Sequence, residues 1–120
     1  DYPKATIVDA CLAMTQESAD KYANGIKKGG ILLLDADYVK KDPVGDFKTY
    51  KLPIMRMAKV DLGREIVANV VALGAMVALT GVVSREAGEK AVLAKVPEAF
   101  IELNKKAYAL GFDKGKELIA

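Results

Sequence analysis

Two apolar runs near the start of the chain contain no polar residue. The first is Ala10–Met14, which closes a segment over residues 6–14, and the second is Ile31–Leu34, which ends at Asp35. Strands that are covered on both faces have this pattern, because neither face meets water. A helix between two such strands predicts a right-handed parallel crossover.

The segment between the two runs carries the signals of a helix. Thr15 is a suitable N-cap, and Gln16 and Glu17 follow it in the first turn, where negative charge suits the helix dipole. The basic residues and glycines of Lys27–Gly30 predict the end of this helix. Its predicted apolar face consists of Ala19, Tyr22, Ala23 and Ile26.

The rest of the chain is predicted to be a polar loop over 36–46, one short strand and four helices. Proline and serine mark helix starts, and glycine marks helix ends. The predicted elements are a strand over Phe47–Leu52 and helices over Pro53–Gly63, 64–81, Ser84 to about Val96, and Pro97–Gly111. The apolar stripe of the last helix consists of Phe100, Leu103, Ala107 and Leu110.

These elements predict an α/β fold. A mostly parallel sheet with a crossover helix forms its first half, and a helical second half packs on that sheet. The length of 120 residues suits one domain, since domains typically have roughly 100–200 residues. We therefore expect a single domain over residues 1–120.

The helix over 64–81 is rich in small residues, so another backbone should approach it closely. Asn69 lies within this helix, and a buried amide needs hydrogen-bond partners, so we expect it to tie the helix to a neighbouring loop or to form part of an interface. The small residues form two stripes, one of Ala68, Ala72 and Ala75 and one of Gly74 and Ala78.

The stretch Ile66–Val83 has 18 residues and no charge, which approaches the about 20 apolar residues of a membrane-spanning helix. Asn69 and Thr80 lie within it, Gly81 interrupts it, and charged residues flank it closely. A buried helix of a globular protein is therefore the favoured interpretation. No signal-peptide pattern opens the chain, so we expect a cytoplasmic protein without a membrane partner.

The chain has no His and one cysteine, Cys11. Zinc sites and iron-sulfur clusters need several thiolate or imidazole ligands, and Ser-His or Cys-His nucleophile pairs need an imidazole. We therefore expect no metal site in this chain, and any catalysis would rest on Asp, Glu, Lys or Tyr or on a partner, with Cys11 as a small buried hydrophobe. The 18 basic and 16 acidic residues give a net charge of +2 without a basic block, which argues against nucleic acid as a partner.

Candidate binding residues follow the two predicted strands, because ligands of open parallel sheets bind beyond the carboxyl ends of strands. Thr15, Gln16 and Glu17 follow the first strand, and Asp35 and Asp37 follow the second. Free N–H groups at the helix start could hold a phosphate, but an ordinary cap at Thr15 is the favoured interpretation. No Gly-x-Gly-x-x-Gly loop precedes Asp35, so both aspartates are expected to cap a turn, with a ligand or partner as the alternative.

In combination, these segments resemble the gamma subunit, or gamma domain, of the 2-oxoacid:ferredoxin oxidoreductases. Their order and spacing match that family across nearly the whole chain. The matching segments are Leu12–Glu17, Lys28–Asp37, Pro53 with its short helix, Val67–Ala75, and Glu102–Ala107 with Gly111.

The sequence departs from the family at its front. The family's gamma chains begin with a strand and a loop of the form Gly-Phe-Gly-Gly-Gln-Gly, which does not occur here. The chain is therefore similar to the carboxyl-terminal two thirds of such a subunit, a fragment of a larger gamma-subunit domain. A partner chain or further residues should cover the sheet edge that the absent strand would occupy.

The resemblance implies a non-catalytic subunit of an enzyme that oxidatively decarboxylates a 2-oxo acid, forms an acyl-CoA and reduces ferredoxin. It implies alpha and beta partners, with a delta partner left open. Pyruvate, 2-oxoglutarate, branched-chain 2-oxo acids and indolepyruvate stay open as substrates, with 2-oxoglutarate favoured on general resemblance. Thiamine diphosphate, iron-sulfur clusters and coenzyme A would belong to the complex, with none bound by this chain alone. Thr15 and Gln16 are the candidates for a contact to a CoA phosphate.

Two other hypotheses remain open. A stand-alone nucleotide-binding oxidoreductase would need a phosphate-binding loop and an acid or base. A non-enzymatic interaction module would need only the small-residue helix and exposed apolar faces. The subunit hypothesis differs from both because it expects an inactive isolated chain that binds other subunits stably.

Overall fold

The computed structural model describes residues 8–120, and the chain divides into two units, residues 1–52 and 53–120. Each unit is described by itself. The single domain over residues 1–120 and the packing of the second half on the sheet stay predictions. Residues 6–7 of the first predicted strand lie outside the described part of the chain.

A parallel sheet forms the centre of the first unit. Its three strands lie in the order β1-β2-β3, and both neighbouring pairs are parallel. One helix, α1, connects β1 to β2, whereas a loop without a helix connects β2 to β3. The parallel arrangement of the first two strands is confirmed. The elements are β1 (Val8–Ala13), α1 (Gln16–Tyr22), β2 (Ile26–Asp35) and β3 (Phe47–Leu52).

Helix α1 is shorter than the sequence predicts. It ends at Tyr22, a 3-10 turn over Ala23–Gly25 follows, and Ile26 already pairs with β1. The predicted end at Lys27–Gly30 is therefore wrong, because these residues belong to β2. Gly29 has a φ of 82° within the irregular start of that strand, and its N–H donates to the Asp46 carbonyl at 2.7 Å.

The core of the first unit lies between α1 and one face of the sheet. In β2 the four consecutive residues Leu32–Asp35 are all buried, so the apolar run correctly predicts a strand with both faces covered. In β1, Cys11 and Leu12 are only half-buried. The core cluster consists of Ala13, Ala19, Leu32, Leu34 and Val39, with Cys11, Ile26 and Phe47 packed against it.

The second unit is helical. Ser84 caps α4 as predicted, since its hydroxyl oxygen accepts the Ala87 N–H at 3.0 Å, but this helix ends before the predicted Val96. Gly81, with a φ of 66°, ends α3. The elements are α2 (Ile54–Arg56), a π-helical turn (Met57–Asp61), 3-10 turns (Glu65–Val67 and Glu98–Phe100), α3 (Ala68–Thr80), α4 (Arg85–Leu93) and α5 (Ile101–Ile119).

The close helix packing that the small residues predict occurs between α3 and α5. A Cβ atom at Gly74 would collide with the Tyr108 carbonyl oxygen, and one at Gly111 would collide with that of Val71. Gly111 therefore lies inside α5, and the prediction that it ends the last helix is wrong. Gly111 does not have the positive φ of a helix-ending glycine, and its missing side chain instead leaves room for the backbone of α3.

Asn69 does not form the predicted buried tie. Its side chain is exposed, on the side of α3 that also carries the exposed Leu73. The buried amide of this unit is Asn104, whose Nδ2 donates to the Phe100 carbonyl at 2.9 Å. Small residues occupy the buried side of α3, so a polar residue of this helix is accommodated on the side away from them.

The uncharged stretch Ile66–Val83 is divided among three pieces of structure. Only 13 of its residues, Ala68–Thr80, form α3. Within residues 8–120, no helix has the length and the hydropathy that crossing a bilayer requires.

Candidate functional site

Thr15 begins the connection that leaves the carboxyl end of β1. Its backbone is extended, with φ of −130° and ψ of 159°, and its Oγ1 accepts the Ser18 N–H at 3.1 Å. The same hydroxyl donates to Ser18 Oγ at 3.0 Å. Thr15 is therefore an N-cap, as predicted, and its hydroxyl is fully used within the helix start.

Gln16 connects the start of α1 to the loop that follows β2. Its Oε1 accepts the N–H groups of Lys40 and Lys41, both at 2.9 Å. Its Nε2 donates to the Lys41 carbonyl at 2.7 Å and to Asp20 Oδ1 at 3.1 Å. The amide thereby satisfies three backbone groups of a loop that contains no regular secondary structure.

This arrangement bears on the predicted CoA contact at Thr15 and Gln16. A phosphate oxygen accepts hydrogen bonds, so it needs a free donor. The Thr15 hydroxyl hydrogen and both Gln16 amide hydrogens already have acceptors within the chain. The contact stays a prediction, and a phosphate bound by either side chain would require one of these hydrogen bonds to be exchanged.

Asp35 is the last residue of β2, and Asp37 lies two residues beyond it. Asp35 is completely buried, and its Oδ1 accepts the Asp37 N–H at 2.9 Å. The Asp35 carbonyl accepts the Val39 N–H at 3.0 Å. The sequence interpretation of Asp35 as a cap of the turn is therefore confirmed.

The loop over residues 36–46 is held at several points, and we call it the anchored loop. Val39 is 1% exposed and lies in the core cluster of the first unit. Gln16 holds the backbone of Lys40 and Lys41, and Asp42 Oδ1 pairs with Lys51 Nζ of β3 at 2.7 Å. The anchored loop is consequently fixed to α1 on one side and to β3 on the other, although it contains no regular secondary structure.

A shallow depression of about 340 Å³ lies between the anchored loop and α1. Its chemistry is mixed, with two carboxylates, one amide and one ammonium group, and Asp42 is already paired with Lys51. It therefore presents no set of donors or acceptors that selects one ligand. Its lining residues are Asp20, Ala23, Asn24, Lys41, Asp42, Pro43 and Val44.

The donor set of the described residues does not fit a metal or an iron-sulfur cluster. Within residues 8–120, no three His, Cys, Asp or Glu side chains are grouped where they could hold a metal ion. Cys11 is half-buried beside the core cluster, and burial raises the pKa of its thiol. The thiolate, which is the metal-binding form, is therefore disfavoured at Cys11.

The structure also shows residues that the sequence interpretation did not select. Lys40 and Lys41 belong to the anchored loop, and no described ion pair includes either of them. The sequence predicts Gln16 as a ligand contact, and not as the residue that holds this loop. A glutamine in the first turn of a helix gives no indication of partners that lie 24 and 25 residues away.

Comparison with known proteins identifies the family of the chain. Residues 1–114 match the family described as pyruvate ferredoxin/flavodoxin oxidoreductase. The chain belongs to this family. The resemblance noted from the sequence is thereby confirmed, and so is the α/β class of the fold.

Three members of the family illustrate the similarity. The chain is 42% identical over 120 residues to the 2-oxoglutarate synthase subunit KorC of Methanocaldococcus jannaschii, which covers 98% of this chain. It superposes with a TM-score of 0.86 and 63% identity on the keto/oxoacid ferredoxin oxidoreductase gamma subunit of Geobacter sulfurreducens, over 89% of this chain and 63% of that one. The third is the 2-oxoglutarate:ferredoxin oxidoreductase of Magnetococcus marinus, solved with 2-oxoglutarate, coenzyme A and succinyl-CoA bound.

The extent of the match differs among these members of the family. The chain spans 64% of the length of the M. jannaschii subunit. In the M. marinus structure the match has a TM-score of 0.66 and 25% identity, and it covers 92% of this chain but only 19% of that one. The region that corresponds to this chain is therefore one part of a much longer polypeptide there.

Proposed function

We propose that this chain is part of the gamma subunit of a 2-oxoglutarate:ferredoxin oxidoreductase. The complex would oxidatively decarboxylate 2-oxoglutarate, form succinyl-CoA and pass the electrons to ferredoxin. The observation that carries the proposal is the 42% identity to a 2-oxoglutarate synthase subunit over 98% of this chain. The 63% identity to a gamma subunit of an oxoacid ferredoxin oxidoreductase supports the subunit type.

The proposed role of the chain within the complex is structural. Thiamine diphosphate and the iron-sulfur clusters would be held by alpha and beta subunits, with a delta subunit in addition where the complex has one. The absence of His from the sequence and the single, half-buried Cys11 support this division of roles. Thr15 and Gln16 remain the proposed contacts to a CoA phosphate, and the proposed location is the cytoplasm.

The proposal is tested by affinity purification of the tagged protein from its native cells. Co-purifying chains are identified by mass spectrometry, and the eluate is assayed for CoA-dependent dye reduction with 2-oxoglutarate, pyruvate, a branched-chain 2-oxo acid and indolepyruvate. We expect thiamine- and cluster-bearing chains, and the highest kcat/KM with 2-oxoglutarate. A higher kcat/KM with another acid would contradict the substrate, and elution of the chain alone without activity would contradict the subunit role.

The CoA contact needs a separate measurement in the same complex. Replacing Thr15 with Val removes the hydroxyl, and we expect the KM for CoA to rise while the KM for the 2-oxo acid stays constant. Ser84→Ala is the matched control, because it removes a helix-capping hydroxyl from the second unit. Equal KM values for CoA in both variants would show that Thr15 is only a helix cap.

A further inference from the structure

An asparagine followed directly by a glycine lies in the connection between α1 and β2. Asn24 and Gly25 belong to the 3-10 turn over Ala23–Gly25, and the proposed function gives them no role. In such a pair the backbone nitrogen of the glycine can attack the side-chain carbonyl carbon of the asparagine, because no Cβ atom crowds the ring that forms. The pair can therefore undergo a covalent change that needs only water.

The Asn24 side chain is accessible and is not held by the fold of the first unit. It is exposed, and it lines the depression between α1 and the anchored loop. Among the described residues its amide makes no hydrogen bond, whereas the amide of the buried Asn104 donates to the Phe100 carbonyl at 2.9 Å. The reacting carbon of Asn24 is therefore free to move toward the backbone.

The turn that contains Asn24 can open while the core of the first unit stays intact. The Ile26 N–H donates to the Ala23 carbonyl at the end of the turn, and among the described residues no side-chain hydrogen bond caps its start. Directly after the turn, the pairing of β2 with β1 is irregular. Local opening of such a segment costs much less free energy than global unfolding. The backbone at Asn24 can therefore rotate until the Gly25 nitrogen reaches the side chain.

We propose that Asn24 is a deamidation site of the folded chain. The Gly25 backbone nitrogen bonds to Asn24 Cγ and loses its proton, the Cγ–Nδ2 bond breaks, and ammonia leaves with that proton. The product is a succinimide ring, and water then opens the ring at either of its two carbonyl groups. Opening at one gives aspartate and opening at the other gives isoaspartate, without any oxidant or reductant.

Either product alters the first unit. Aspartate at position 24 adds a negative charge to a depression that Asp20, Lys41 and Asp42 also line. Isoaspartate in addition routes the backbone through its own Cβ atom, which lengthens the connection just before Ile26, the first residue of β2. The modification therefore changes both the charge of the depression and the backbone at the start of this strand.

The other two asparagines of the chain, Asn69 and Asn104, are internal references. Asn69 is also exposed, but it lies in α3 and the β-branched Val70 follows it. Asn104 lies in α5 and is buried. A helix fixes the backbone, and a branched neighbour crowds the closing ring, so we expect both residues to keep their amides.

The test incubates the folded 120-residue chain at neutral and mildly alkaline pH and follows each asparagine by peptide mass spectrometry. Digestion with an acid protease avoids deamidation during the work-up, and enzymatic carboxyl methylation detects isoaspartate. We expect Asn24 to lose its amide about tenfold or more faster than Asn69, a ratio that corresponds to about 1.4 kcal/mol in activation free energy. The rate should rise with hydroxide concentration, because the attacking nitrogen must lose its proton.

Two variants change the two reacting groups separately. Asn24→Gln lengthens the side chain, so the same attack would have to close a larger ring. Gly25→Ala adds a Cβ atom beside the attacking nitrogen, and alanine suits this position because Gly25 lies in the 3-10 turn without a positive φ. Both variants should slow the reaction at position 24 about tenfold or more, and circular dichroism verifies that each is folded.

Three outcomes would overturn the proposal. Equal rates at Asn24 and Asn69 in the folded chain would show that the turn has no special reactivity. Reaction at Asn24 only after unfolding in urea would show that the folded turn protects it. An unchanged rate in Gly25→Ala would contradict attack by the Gly25 nitrogen. The subunit role does not depend on any of these results, because co-purification tests it separately.

Discussion

At the scale of single residues, Gln16 holds the anchored loop of the first unit against α1. One amide group provides partners for three backbone groups of the anchored loop and for one carboxylate of α1. These hydrogen bonds are exposed, so water could satisfy the same backbone groups, but only the Gln16 amide joins them to α1.

Replacing Gln16 with Ala should lower the free energy of unfolding by about 0.5–1.5 kcal/mol, because the hydrogen bonds that join α1 to the anchored loop are lost while the exposed backbone groups can pair with water instead. Urea denaturation followed by circular dichroism measures the change. Lys40→Ala is the control, since Gln16 binds only the backbone of Lys40, and its effect should stay within about 0.5 kcal/mol. Equal free energies for the two variants would show that the amide does not stabilise the loop.

In the second unit, Tyr108 similarly connects two elements through one side chain. Its side chain is completely buried on α5, and its hydroxyl donates to the Arg85 carbonyl at 3.0 Å. Burial raises the pKa of this phenol, the positive charge of Arg85 lowers it, and the carboxylates of Glu89 and Glu86 raise it again. The net pKa lies above its ordinary value, so the folded state favours the neutral phenol.

The raised pKa gives a pH prediction. The unfolded chain loses the Tyr108 proton near pH 10, before the folded chain does, so this contribution to stability is complete below that pH and decreases as the pH rises through the folded pKa. Tyr108→Phe should lower the free energy of unfolding by about 0.5–1.5 kcal/mol at neutral pH. The difference from the wild type should shrink above about pH 10. Denaturation at a series of alkaline pH values tests this, and a constant difference would contradict it.

At the scale of elements, the pair α3 and α5 depends on glycines that let two backbones approach. A Cβ atom added at Gly115 would lie 2.8 Å from the Ala75 carbonyl oxygen, and one added at Gly111 would lie even closer to the Val71 carbonyl oxygen. Neither neighbour is a flexible side chain. The helices would therefore have to separate to accommodate even a methyl group.

Gly111→Ala tests this contact. In an exposed helix position this change usually stabilises by about 1 kcal/mol. Here we expect a loss of about 1–3 kcal/mol, because the new methyl group meets the Val71 carbonyl. Thermal unfolding measures the effect, and Lys106→Ala on the exposed side of α5 serves as the control. A rise in Tm for Gly111→Ala would contradict the close approach.

The elements also show how far sequence patterns determine this structure. The apolar run over Ile31–Leu34 predicts β2 well, because continuous burial leaves a direct mark on composition, whereas β1 is a strand as predicted although Cys11 and Leu12 are only half-buried. Glycine is ambiguous, since it can end a helix, as Gly81 does, or admit another backbone, as Gly111 does. The sequence does not distinguish these uses. For the same reason the sequence pattern predicts Gly29 at a helix end, although Gly29 lies in β2.

At the scale of the whole molecule, the candidate site was predicted only in part. The cap at Thr15 depends on neighbours three residues away, which a local pattern contains. The role of Gln16 depends on Lys40 and Lys41, which only the folded chain brings close. The family was found from the order of several segments, because no single one of them is diagnostic.

The proposed division of roles within the complex gives a further prediction. The purified chain alone should contain no iron, show no absorbance band of an iron-sulfur cluster, and reduce no dye with any 2-oxo acid and CoA. Elemental analysis, absorption spectroscopy and the dye assay measure this, with the assembled complex as the positive control. Stoichiometric iron or turnover in the isolated chain would contradict the proposed structural role.

The helix-free connection from β2 to β3 also bears on the order in which the first unit folds. Parallel strands are normally joined through a helix that forms locally, whereas the anchored loop gains its hydrogen bonds to Gln16 only once α1 is in place. We therefore expect β3 to join the sheet after the folding transition state. Gln16→Ala should then accelerate unfolding and leave the refolding rate nearly unchanged in stopped-flow experiments. The Gln16 amide would therefore slow the unfolding of this edge of the sheet, and it would have little effect on the rate at which the edge folds.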